Sequence, residues 1–164
     1  INPDKQIEFI LSDIPGFITM VFQSFTMKAD MIMQSYIGML GWMELKFSIF
    51  YYLFALITLL FFAIVSDREI LSYTIMDRLL FIFIFLGVIL TFSFTMYCSW
   101  SDPGAHAIHN LQGRYFIPAM PLIWFLFQNR TLKFPARILS TILGIFAVIS
   151  FAVSVQVMLD RFYL

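Results

Sequence analysis

Charge is what this sequence has least of. Charged residues make up 12% of its 164 positions and hydrophobic residues 61%, against roughly 25% and 45–50% in ordinary globular chains. A water-soluble domain of this size has too much surface to hide 21 phenylalanine rings. Ten basic and ten acidic residues cancel. The basic ones form no stripe, which argues against nucleic acid as a partner. A single cysteine, Cys98, excludes an internal disulfide. Residues 1–16 carry Asp4, Lys5, Glu8 and Asp13 but no basic stretch ahead of an apolar core, so they are not a signal peptide. A phosphate-binding glycine loop, zinc-finger spacing, a serine-histidine-aspartate arrangement and internal repeats are all missing.

What the chain does have is long uncharged runs. Phe47–Ser66 and Leu79–Cys98 are each 20 residues without a charge, and Ile138–Leu159 is 22. At about 1.5 Å per residue each covers the roughly 30 Å hydrocarbon core of a bilayer. Backbone groups in hydrocarbon must pair within their own segment, which predicts helices. Uniformly apolar runs, without alternation, argue against a barrel. A fourth apolar segment, Tyr115–Phe127, contains Pro118 and Pro121. It reads as a further span over about 115–129, kinked or partly unwound at its start; a re-entrant or interfacial segment is the alternative. The expected fold is therefore all-α, a polytopic transmembrane bundle of about four spans. The spans fall at about 47–66, 79–98, 115–129 and 138–159 within a membrane region 47–164. With four crossings, Arg68, Arg78, Arg130, Lys133 and Arg137 gather on one side, which predicts that side as cytoplasmic. Residues 1–46 and 99–114 then face outward. Starting at Ile1, the sequence reads as a piece of a longer protein with further spans upstream.

Residues 1–46 predict two amphipathic helices on the outer interface or partly inserted. Asn2-Pro3 is a helix start, with a capping side chain and proline at the first helical position. Ile7, Ile10, Leu11 and Ile14 mark one apolar stripe. Pro15-Gly16 punctuates, Asp13 is placed to cap the second helix, and Phe17, Met20, Val21 and Phe25 continue it. A full span over about 14–33 is the alternative. Lys28 and Asp30 read as loop charges, and Asp67, Arg68 and Glu69 as a solvated turn. Trp42 and Trp100 stand where an indole sits half wet and half apolar.

Chemistry concentrates in the stretch from Trp100 to Pro118. Gln112-Gly113-Arg114-Tyr115 falls at the expected water–lipid boundary. Arginine is always charged and offers a planar fork of donors that fits phosphate oxygens. Gly113 permits close backbone approach, and Tyr115 adds a ring and a hydroxyl. A lipid-linked phosphate would meet this group at its own depth; an arginine snorkelling to headgroups is the plainer reading. His106 and His109 are three apart with Asp102 nearby, but a divalent metal would need further ligands, so no cofactor is expected and the loop reads as polar. Glu44, after Gly41-Trp42-Met43, reads as a solvated interfacial carboxylate.

Asn2-Pro3-x-x-Gln6, then Gly38-x-x-Gly41-Trp42-x-Glu44, then a span pair, then Gln112-Gly113-Arg114-Tyr115-Phe116-Ile117-Pro118 follow in order. This series resembles the C-terminal half of the DUF2142 family of predicted bacterial polytopic membrane proteins. The family usually has aspartate where Glu44 stands. The resemblance implies a GT-C-like fold and a glycosyltransferase of the bacterial cell membrane. Its donor would be a polyprenyl-phosphate sugar, and its acceptor a cell-surface glycan or cell-wall polymer on the outer face. Membrane lipids and the remaining N-terminal part of the same protein would be its other partners. By the same resemblance Arg114, Gln112 and Tyr115 bind the donor, and Glu44, His106 and His109 line the same cavity. The class usually carries its catalytic acid in a first outward loop that this sequence lacks, so no catalytic residue is named. A transporter or flippase module for a lipid-linked glycan is the alternative, and a non-catalytic scaffold a third.

Overall fold

A computed structural model describes residues 2–65, 73–128, 132 and 134–163. The expected turn at Asp67, Arg68 and Glu69, and the basic residues Arg130 and Lys133, lie outside the described residues, as does Ser66 at the end of the first expected span. The described chain is dominated by α-helix: α1 (Pro3–Ser12), α2 (Ile14–Met27), α3 (Ala29–Ile37), α4 (Ile49–Ile64), α5 (Ile75–Trp100), α6 (Met120–Trp124) and α7 (Ala136–Phe162). The all-α membrane architecture expected from the sequence holds, apart from one small hairpin of β1 (Met39–Leu40) and β2 (Leu45–Lys46), paired antiparallel with Leu40 opposite Leu45.

Local signals set the N-terminal helices. Asn2 caps α1 by accepting from the Lys5 amide, with proline at the first helical position. Asp13 Oδ1 accepts from the Gly16 amide at 2.9 Å and starts α2. The chain turns sharply there, for α1 and α2 meet at a bend of 108°. Of the expected stripe only Ile10 is buried; Ile7, Leu11 and Ile14 are exposed. A third helix, α3, stands where the sequence predicted none; it takes in Asp30, expected as a loop charge, while Lys28 is the turn residue between α2 and α3.

Among the described residues two helices, α5 with 26 residues and α7 with 27, are long and apolar enough to cross a membrane. A bent pair, α1 with α2, raises the number to three if it acts as one span. This corrects the expected count of about four. The first expected span contracts to the 16 residues of α4, about 24 Å of rise and so short of the hydrocarbon core. The segment expected over 115–129 is not one helix: a 3-10 turn at Gly113–Phe116, the five-residue α6 and a second 3-10 turn at Phe125–Phe127 succeed each other. Pro118 and Pro121 supply no amide hydrogen, so a continuous ladder cannot form through them.

Contacts order these segments between two ends. At one end Phe61 of α4 packs on Phe134, Phe81 of α5 packs on Phe125, and Arg78 donates to the Leu126 carbonyl at 3.2 Å. At the other end α1–α3, the hairpin and the loop 101–112 form a cap on the last turns of α5. Its core joins Ile10, Phe17, Met20 and Val21 to Tyr97, Ile108, Leu111 and Phe116. The broken segment descends beside α5 from Phe92, which stacks on Tyr115, to Phe81. The Tyr52 hydroxyl accepts from the Phe47 amide and donates to the Gly38 carbonyl, fixing the hairpin base to α4.

Candidate functional site

The loop 101–112 has little regular structure and is held by side chains of its neighbours. The Gln6 amide, fully buried, donates to the Tyr97 and Ser101 carbonyls, closing the open end of α5. Ser24 Oγ accepts from the Ile108 amide at 2.8 Å, and Lys28 Nζ donates to the Ile108 carbonyl at 2.6 Å. Partial burial pushes the Lys28 ammonium pKa down, because the charged form loses hydration. The Tyr97 hydroxyl accepts from Gly104 and Ser101 Oγ from His109. Ile108 and Leu111, both fully buried, plug the loop into the cap. A loop without ladder bonds can be fixed only if its backbone groups find such partners.

From this base the chain presents Arg114. Asn110 adopts a left-handed conformation with φ 57°. Its Oδ1 accepts from Gln112 Nε2 at 2.6 Å, and Gln112 Oε1 accepts from Arg114 Nε at 2.5 Å. Gln112 is 3% exposed while Arg114 is exposed. The buried amide thus aims the guanidinium by its stem side, and neither Nη group bonds to another described residue. Gly113 is fixed by the Ser35 hydroxyl, which accepts from its amide at 2.7 Å. A Cβ on Gly113 would stand 1.9 Å from the Ile32 carbonyl oxygen. The close approach that glycine permits here is therefore to the backbone of α3. Tyr115 stacks flat on Phe92, with ring centroids 5.6 Å apart.

A cavity of about 410 Å³ opens beneath this group, between α3, α4, α5 and the broken segment. Its walls are apolar, with Phe25, Ile32, Met33, Phe85, Phe116 and Met120 prominent. Its two polar wall groups are joined by one hydrogen bond, from Trp124 Nε1 to the Tyr36 hydroxyl oxygen at 3.0 Å. Burial pushes the Tyr36 pKa up, with the Trp124 hydrogen bond opposing, so the phenol stays neutral.

The structure brings Gln112, Gly113, Arg114 and Tyr115 together and places the other candidates elsewhere. Glu44 lies in the hairpin turn, 3.8 Å from Arg161 Nη2 at the end of α7, both more than half exposed. Such a pair contributes little in water. His106 lies exposed on a separate groove with Phe9 and Gln23, and His109 is exposed, so neither belongs to the cavity walls. Among the described residues no three His, Cys, Asp or Glu side chains are grouped to hold a metal. Sequence reasoning missed Ser35, Lys28, Tyr36 and Trp124. Only Trp124 carried a signal, an indole N–H within an apolar run that needs a partner.

Comparison with known families matches residues 1–123 to a family described as Predicted membrane protein (DUF2142). The chain matches no curated protein and no solved structure.

Proposed function

Because this chain belongs to the DUF2142 family of predicted membrane proteins, we propose that it is part of a membrane glycosyltransferase. In this reading it takes a sugar from a polyprenyl-phosphate donor and passes it to a cell-surface glycan or cell-wall polymer. The cap, built from residues 1–46 and the loop 99–114, faces the outside of a bacterial cell membrane, and residues 47–164 form the membrane region. The observation that carries the reading is Arg114: a guanidinium aimed by buried Gln112, with neither Nη group bonded to another described residue, one residue along the chain from the wall of an apolar cavity.

Sugar transfer from a lipid phosphate leaves negative charge on the departing phosphate. A fixed cation in a partly dehydrated site stabilises that charge without reorganising. The bidentate fork suits two phosphate oxygens. Glu44, His106 and His109 sit on the same cap, where they would meet an acceptor glycan before they meet the donor. The base that takes the acceptor proton would come from the remaining N-terminal part of the protein.

The test is sugar transfer by the full-length protein in bilayers. Arg114→Ala should lower the rate by about 10²–10³-fold at unchanged expression, with Arg114→Lys intermediate because a point charge replaces the fork. Undiminished transfer in Arg114→Ala would remove the phosphate-binding role. The flippase reading draws support from the discontinuous segment 113–127. It requires that the lipid-linked glycan change leaflet with no sugar joined to an acceptor.

A further inference from the structure

The cavity and Arg114 stand in a fixed vertical order. Tyr115, the neighbour of Arg114, stacks on Phe92 of α5. The wall that α5 gives the cavity is Ile89 and Phe85, about 4.5 and 10 Å further along the helix axis toward its start. These residues lie in the uncharged middle of a helix of spanning length. The cavity therefore sits below the guanidinium, on its hydrocarbon side. Trp124 closes the far end, since the next residue, Phe125, already packs against Phe81. Tyr36 reaches from the level of Gly113 to the Trp124 indole, which makes their hydrogen bond a floor.

Size then limits what can lie in it. A dry apolar cavity of about 150 Å³ takes one benzene ring. The 410 Å³ here corresponds to about 16 carbons on that scale, room within the walls for one chain, and the pocket is open on one side, so a longer chain can leave it. Resting on the phosphate-binding role of Arg114, we propose that the cavity reads the first three isoprene units of the donor's prenyl chain. The Tyr36–Trp124 floor turns the remainder of the chain out into the lipid. The site would then measure the headgroup end of the lipid and ignore its total length.

Trp124 reports on its own floor. The full-length protein in lipid nanodiscs is titrated with geranyl, farnesyl and geranylgeranyl phosphate at equal mole fractions, and with hexadecyl phosphate as a saturated chain. The signal is the emission change that disappears in Trp124→Phe. Farnesyl phosphate should bind at least about tenfold more tightly than geranyl phosphate, because two units leave a third of the cavity empty. Geranylgeranyl phosphate should gain less than about twofold over farnesyl. Ala29→Phe, which adds a ring to the wall, should reduce farnesyl binding to the geranyl level. Should that variant not fold, the chain series on the unaltered protein decides. Equal binding of two and three units, a continuing gain at four, equal binding of hexadecyl phosphate, or no Trp124-dependent change would each overturn the proposal. Farnesol separates the two readings. If it changes Trp124 emission while Arg114→Ala retains full transfer, the cavity assignment survives and the phosphate role does not.

Discussion

The cap and α7 are both rich in apolar residues, yet they are stabilised in opposite ways. The cap buries Phe17, Met20, Tyr97, Ile108 and Leu111 against one another and adds buried Gln6, Ser24, Ser101 and Gln112 with their hydrogen bonds. In 27 residues α7 buries none. Its Phe151 is 73% exposed. The cap has the organisation of a water-soluble core, in which removal of apolar area from water drives packing. Hydrocarbon around α7 already solvates its side chains, so packing there adds little and the helix is fixed by internal hydrogen bonds. The candidate site hangs from the region that protein contacts hold rigid.

The most damaging single change to that contrast should be Gly113→Ala. The added carbon meets the Ile32 carbonyl oxygen at 1.9 Å and Tyr36 Cβ at 2.8 Å, and a backbone atom cannot rotate away. Destabilisation upward of about 4 kcal/mol is expected, read as a lowered thermal midpoint in mild detergent. An unchanged midpoint would mean that the 3-10 turn and α3 are not locked together.

Next in size is a matched pair of truncations. Leu111→Ala in the cap should cost about 3 kcal/mol, the usual range for a fully buried leucine. Phe151→Ala in α7 should stay within about 0.5 kcal/mol in lipid although it removes a larger side chain. Comparable losses at both positions would erase the distinction between the two regions. A smaller effect belongs to Gln6→Leu, which keeps the volume and leaves the Tyr97 and Ser101 carbonyls without their donor. About 1–3 kcal/mol is expected, with faster amide exchange at the last turn of α5. Part of the loss is offset, because Gln6 Oε1 is itself buried without a partner among the described residues.

Much of this was readable in the amino-acid order. The Asn2-Pro3 start and the Asp13 cap act over three residues, and both stand as expected. Absence of charge located α5 and α7, whose ends extend past the expected runs because an apolar window marks hydrocarbon, not the helix that passes through it. The string Gln112 to Tyr115 marked a candidate site, and the structure shows how Gln112 holds the Arg114 Nε there. What stayed hidden was long-range. Ser35 and Gly113 are 78 residues apart, and Lys28 and Ile108 are 80 apart. No local periodicity announces that a serine on one helix will hold a glycine on a distant turn. The broken fourth segment was half visible: two prolines forbade a straight helix, but nothing local gave the five-residue length of α6 or the 3-10 turns on either side of it.

The finest test of the cap's rigidity uses pH. Lys28 has its pKa lowered below the ordinary lysine value of 10.5 by desolvation. In the window between the lowered value and 10.5 the unfolded chain binds more protons than the folded one, so stability rises with pH there. Below the window both states hold the proton and the burial cost is fully present; above 10.5 it is gone. A neutral amine can still donate to the Ile108 carbonyl, so the loop keeps its anchor as the charge leaves. Compared with Lys28→Met, which cannot titrate, the unaltered protein should gain stability as alkaline pH is approached, while tyrosines and other lysines cancel in the difference. The expected sign is positive and the size is the smallest of the series, since Lys28 is only partly buried. A difference that falls with rising pH would show that the ammonium charge is favoured in place, and that a carboxylate or a lipid phosphate approaches it in the folded membrane protein.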